Sequence, residues 1–135
     1  MNLLKMPKNS PGFTLVEIMI VVVIIVILAY IGIPNLLRAT ITANETSAQT
    51  TLKTIGTALE NYSVIHSVYP ADTAVLVGDA PPYLNKDFFS GNHSGYTYTA
   101  TLLSDYAYTI TATPISASAG THSYVLTTGA LLSEL

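Results

Sequence analysis

One stretch of this sequence is more than a small domain can bury. From Ile18 to Ile33, sixteen consecutive residues carry no charged or strongly polar side chain. As a helix, Phe13 to Ile33 would measure about 32 Å, enough to cross the hydrocarbon core of a bilayer. Val and Ile dominate the run. They are poor helix formers in water but acceptable in lipid, where every backbone group must bond within the segment. A helix of this kind needs lipid or other copies of itself around it. One carboxylate, Glu17, stands just ahead of the run. An acid in such surroundings is costly unless a cation answers it, which makes Glu17 the leading candidate for a functional residue.

Ahead of Phe13 the chain is short, polar and positive, with Lys5, Lys8 and then Asn9-Ser10-Pro11-Gly12. Positive charge before an apolar stretch holds that end in the cytoplasm. An ordinary secretory signal would be cut after the apolar run, at a small-residue pattern. Ala29-Tyr30-Ile31 offers no such pattern, and the run is long for a signal peptide. A plain signal anchor is the simpler alternative.

The motif Gly12-Phe13-Thr14-Leu15-Val16-Glu17, followed by the apolar run to Pro34, resembles the N-terminus of type IV prepilins and of the pseudopilins of type II secretion. The similarity of pattern extends to Pro70. The resemblance implies that residues 1–12 form a leader, that prepilin peptidase cuts between Gly12 and Phe13, and that the new amino terminus on Phe13 is N-methylated. It also implies a homopolymer, drawn from the inner membrane by an assembly ATPase and a platform protein. The physical chemistry agrees. Cleavage would expose an ammonium on Phe13, one helical turn from Glu17. In low dielectric, the Phe13 amine of a neighbouring copy is a natural partner for that acid. A local role is also open, because Thr14-x-x-Glu17 matches a capping box.

Gly32 and Pro34 are expected to weaken the helix, since proline lacks a donor and crowds the Tyr30 carbonyl. The simple reading is a kink at the membrane exit. The resemblance adds a sharper one, in which residues from about Ile25 to Pro34 extend on assembly. Beyond Pro34, the residues Ala48, Leu52, Ile55, Leu59, Tyr62 and Ile65 recur at helical spacing. Gln49, Lys53, Thr57 and Glu60 fall on other faces. The whole helix would run to about Ile65 and measure roughly 80 Å.

Tyr69-Pro70 ends the helical pattern, and Ser67 to Gly95 reads as irregular. Three stretches then alternate with period two: Tyr96/Tyr98/Ala100/Leu102, Tyr106/Tyr108/Ile110/Ala112, and Tyr124/Leu126. Ser104-Asp105 is expected to make a tight hairpin, with threonines on the opposite face. The expected fold class is α+β. One long N-terminal helix, apolar and protruding in its first half, packs its second half on a three-stranded antiparallel sheet, as in the pilin fold. The expected division is leader 1–12, transmembrane or filament-core segment 13–34, and a globular head 35–135. Within the head lie an amphipathic helix 35–66, a connecting loop 67–95 and a β-meander 96–135.

Composition removes several functions. The net charge is −3 and there is no basic cluster, so no nucleic-acid contact is expected. With no cysteine, disulfides and thiolate metal sites are excluded. Major pseudopilins bind calcium through acidic loop residues, but Asp72, Asp79, Asp87 and Asp105 match no compact loop motif. His66, His93 and His122 lack metal-ligand spacing. No metal or other cofactor is expected. Nor is an enzyme, since there is no nucleophile–base pair and no phosphate loop. Three readings remain: a type IV pilus subunit, a type II secretion pseudopilin, and a membrane-anchored binding or adhesion module that never polymerises.

Overall fold

The computed structural model describes residues 12–135. Lys5, Lys8 and the rest of the expected leader before Gly12 lie outside the described residues. The chain divides into two units, the first ending at Leu36 and the second running from Leu37 to Leu135. Helix α1, Leu15–His66, contributes to both.

In the first unit, every side chain from Gly12 to Leu36 is exposed. One helix here is long and apolar enough to cross a membrane, and none of its apolar window is buried. Apolar residues cover all its faces, so no stripe exists that a partner on one side could bury. The helix runs through Gly32 and Pro34 without interruption, so the expected weak point is not a break in the single chain. Pro34 leaves the Tyr30 carbonyl without its usual donor. Next to that gap, Asn35 Nδ2 donates to the Ile31 carbonyl at 3.1 Å.

In the second unit, α1 lies on a four-stranded antiparallel meander: β1 Tyr96–Ser104, β2 Ala107–Pro114, β3 Tyr124–Thr127 and β4 Leu131–Glu134. The core joins Ala48, Leu52, Ile55 and Leu59 to Tyr96, Tyr98, Tyr108, Ile110, Tyr124 and Leu126. The helical stripe is therefore the buried one up to Leu59, and Tyr62 packs at its margin. Ile65 does not join it and is 67% exposed. Gly56 and Ala58 complete the buried face. A Cβ on Gly56 would come within 3.0 Å of Leu126 Cδ2, so the missing side chain lets β3 approach the helix.

The sheet departs from the expected meander in three places. First, β4 is a fourth strand, paired to β3 from Tyr124↔Glu134 to Thr127↔Leu131. Leu-Leu-Ser-Glu does not alternate, and the preceding turn puts Gly129 and Ala130 at φ 81° and 56°. An alanine is a rare occupant of that left-handed region, so the turn carries little sequence signal. Second, β1 slips register between Ala100 and Leu102, a bulge that turns Leu102 outward opposite Thr109 and brings Leu103 inward opposite Tyr108. Third, the β1–β2 turn is Asp105-Tyr106, closed by the Ser104↔Ala107 pair, and not Ser104-Asp105. Tyr106 is thereby expelled from the apolar face and is 81% exposed.

α1 ends at His66, where Ser67 turns left-handed at φ 63°. The segment read as irregular holds one short helix, α2 Val75–Gly78. Its Leu76 is buried, and its Leu76 carbonyl accepts from the Leu84 amide at 2.8 Å, folding the loop onto the core.

Candidate functional site

The sequence-derived site lies at the start of α1. Gly12, Phe13 and Thr14 precede the helix and are exposed. A protease would find the Gly12–Phe13 bond outside regular structure. Thr14 Oγ1 accepts from the Glu17 amide at 3.2 Å, the N-cap geometry that satisfies one of the free donors of a helix start. This bond uses the Glu17 backbone and not its carboxylate. The carboxylate itself sits in the first helical turn, exposed among Phe13, Leu15, Val16 and Ile18. Phe13, just ahead of α1, and Glu17, in its first turn, thus lie at the same end, whereas Gly32 and Pro34 lie about 25 Å along the helix.

The second unit contains two carboxylate clusters that sequence reasoning missed. Glu60 reads as a polar-face residue, yet it is a half-buried hub. It accepts from Tyr108 Oη at 2.9 Å, from Tyr69 Oη at 3.1 Å and from the Gly129 amide at 3.0 Å. Tyr108 Oη in turn accepts from the Ala130 amide at 2.9 Å. One acid therefore ties α1 to the loop, to β2 and to the β3–β4 turn. Burial first, and Glu60 second, push the Tyr69 hydroxyl up. Burial likewise drives Tyr108 far above the ordinary phenol range. The only hint in the sequence was that Glu60 directly follows the buried Leu59.

The other cluster joins helix and C-terminal strand. Glu45 Oε1 accepts from the Thr121 amide and hydroxyl, each at 2.9 Å, and lies 3.2 Å from His122 Nδ1. His122 Nε2 is 3.3 Å from Glu134 Oε1. The Thr121 amide is the main reason that the Glu45 carboxyl lies below its usual range, against a smaller opposing effect of burial. Beside it, Tyr96 Oη donates to the His122 carbonyl at 2.7 Å, and burial pushes that hydroxyl up to about 12. These contacts brace the fold; each acid is occupied by donors from its own chain.

Asp72 and Asp87 hold their loops locally, accepting from the Ala74 and Phe89 amides at 3.1 and 2.8 Å. Among the described residues, no group of three His, Asp or Glu side chains is placed to hold a metal ion.

Comparison with known proteins picks out the same end of the chain. Residues 7–29 match the family model described as the prokaryotic N-terminal methylation motif, which brackets Gly12, Phe13 and Glu17. The type IV major pilin protein PilA of Myxococcus xanthus is 39% identical over 94 residues, covering 70% of this chain and 39% of that protein. The type II secretion system core protein G of Vibrio cholerae is 42% identical over 67 residues, covering 50% of this chain and 46% of that one. Competence protein ComGC of Halalkalibacterium halodurans is 34% identical over 68 residues, covering 50% of this chain and 67% of its own length. The chain spans about half the length, or less, of the first two of these relatives. Motif, helix and relatives agree: the chain belongs to the family of type IV pilins and type II secretion pseudopilins.

Proposed function

We propose that this protein is a structural subunit of a type IV pilus. The observation that carries the reading is the first unit: a helix apolar on every face, exposed throughout, with Glu17 as its one acid. The precursor waits in the inner membrane with its leader in the cytoplasm. Prepilin peptidase removes residues 1–12 after Gly12 and methylates Phe13. An assembly ATPase and a platform protein then draw the subunit into a homopolymer, which reaches the cell surface. The apolar helices exchange lipid for one another, and a head-to-tail contact that does not close lets the array grow without limit.

Glu17 is the register device in this scheme. In the filament core its carboxylate meets the Phe13 ammonium of a neighbouring copy, and an unpaired acid there is strongly unfavourable. Only a subunit at the correct axial offset satisfies it. The segment from Ile25 to Pro34 extends during packing, since the Tyr30 carbonyl already lacks a helical donor. No catalytic residue is assigned to the chain, in keeping with its relatives.

The test is Glu17→Ala. The variant should enter the membrane at wild-type levels, with filament yield reduced by at least about tenfold, the effect of about 1.4 kcal/mol per added subunit. Normal filaments would remove the intersubunit role. A second reading is favoured by the similarity to protein G: a pseudopilin of a type II secretion machine. Micrometre-scale surface filaments containing this chain decide for the pilus, and secretion loss without such filaments decides for the pseudopilin. A chain that stays monomeric in the membrane would be the anchored adhesion module.

A further inference from the structure

We propose that a hollow at the C-terminal end of α1 receives the Arg38 guanidinium of a second copy of this chain. The proposal rests on the polymer reading above and adds to it a contact between heads. The hollow, of about 450 Å³, is walled by Ile65 and His66, by residues 79–82 and by Tyr83. Its aromatic wall is pre-arranged. Tyr62 stacks on His66 with centroids 4.0 Å apart and planes 16° from parallel. Tyr83 meets both rings edge-on, at 5.4 and 6.4 Å.

Among the lining side chains, the Tyr83 hydroxyl is the one donor not already committed. His66 Nδ1 lies 3.1 Å from the Tyr62 carbonyl, which can only accept, so Nδ1 carries the proton. In the neutral ring, Nε2 is then a bare acceptor. Pro81 and Pro82 contribute carbonyls but no N–H. Asp79 is half-buried as a residue, and among the described residues its carboxylate has no hydrogen-bond or ion-pair partner. A carboxylate in a concave wall with no partner of its own is a natural site for a cation. Beside aromatic faces, it calls for a flat, donor-rich cation. A guanidinium fits both demands, pairing in a fork with the carboxylate and stacking on the rings.

The chain holds one arginine, Arg38. It is exposed, and among the described residues its guanidinium makes no ion pair. Along α1 it precedes His66 by about 28 residues, or about 42 Å, so the two sites cannot meet within one copy. The contact is heterologous: each copy offers Arg38 to one neighbour and its hollow to another, which suits an open array.

Cysteine cross-linking tests this directly, because the chain has no cysteine of its own. Filaments sheared from cells making the Arg38→Cys/Asp79→Cys double variant are treated with a short bismaleimide, whose span stands in for the lost arginine side chain because a direct disulfide would be too short, and run on a denaturing gel. A ladder of multimers is expected from the double variant and monomer from each single variant. A charge swap gives an independent reading should the cysteines impair assembly. Arg38→Asp and Asp79→Arg should each lower filament yield by about tenfold, and the two together should restore it. Wild-type filaments with neither ladder nor rescue overturn the contact and leave the polymer reading intact. A ladder from Lys53→Cys/Asp79→Cys in place of the Arg38 pair overturns Arg38 as the occupant. Absence of filaments from the wild type overturns the polymer reading, and this contact with it.

Discussion

Among the described residues, Glu60 has no ion-pair partner and is held by neutral donors. The Tyr108 and Tyr69 hydroxyls and the Gly129 amide converge on its two oxygens. Truncating it strands three donors in a half-buried site, which costs about 1–3 kcal/mol per unsatisfied group. Glu60→Ala should therefore lower the urea midpoint of the head clearly, and Glu60→Gln should lower it less, because its amide oxygen still accepts. Glu45 and Asp87 contribute to the acid sensitivity of the fold. The Thr121 amide lowers the first carboxyl below its ordinary 4.5, and the Phe89 amide lowers the second below 3.8. A carboxyl depressed by folding contributes stability that is complete above its unfolded value and is lost as pH falls through its folded value. Denaturation midpoints should be flat above about pH 5 and fall below about pH 4, within the range where ordinary carboxyls titrate. Glu45→Gln should flatten part of that fall. A midpoint indifferent to acid would refute the account.

At the scale of elements, the head depends on close approach between parts distant in sequence. Gly120 is the sharpest case. A Cβ there would collide with the Tyr96 hydroxyl and lie 2.7 Å from its Cζ. The Tyr96 ring is fully buried and its hydroxyl holds the His122 carbonyl. Gly120→Ala must push the ring off its site, so overpacking of about 1–3 kcal/mol is expected, read as a lower thermal midpoint. Gly78, whose Cβ would meet nothing within 4 Å, is the control, and Gly78→Ala should leave the midpoint nearly unchanged. Sequence pattern served the elements unevenly. The stripe from Ala48 to Leu59 and the tyrosines of β1 and β2 were legible because one face of each is buried and the period is regular. Leu102 and Tyr106 misled, because a bulge and a shifted turn reverse the alternation within one strand. Ile65 misled because the helical period continues to a residue that the core does not cover.

For the whole molecule, the decisive contrast lies between its two units. The second holds its own core. Among its described residues the first has no side chain buried, so its surroundings must come from lipid or from other copies. Mass spectrometry of sheared filaments should therefore return a chain that begins at N-methylated Phe13. A filament chain that retained Met1 through Gly12 would have no Phe13 ammonium to offer, and the assembly scheme would fail with it.

By itself the sequence determined the apolar helix, its single acid, the motif ahead of it and the amphipathic stripe that follows. Each is a local property, set by composition and period over a few consecutive turns. Only the tertiary structure decided that Glu60 and Glu45 are bonded hubs, that Leu131–Glu134 pairs as a fourth strand, and that Asp79 faces an aromatic hollow. A carboxylate finds its donors, and an edge strand its ladder, through partners dozens of residues away. Those encounters depend on where the chain returns in space, which no window of neighbouring residues records.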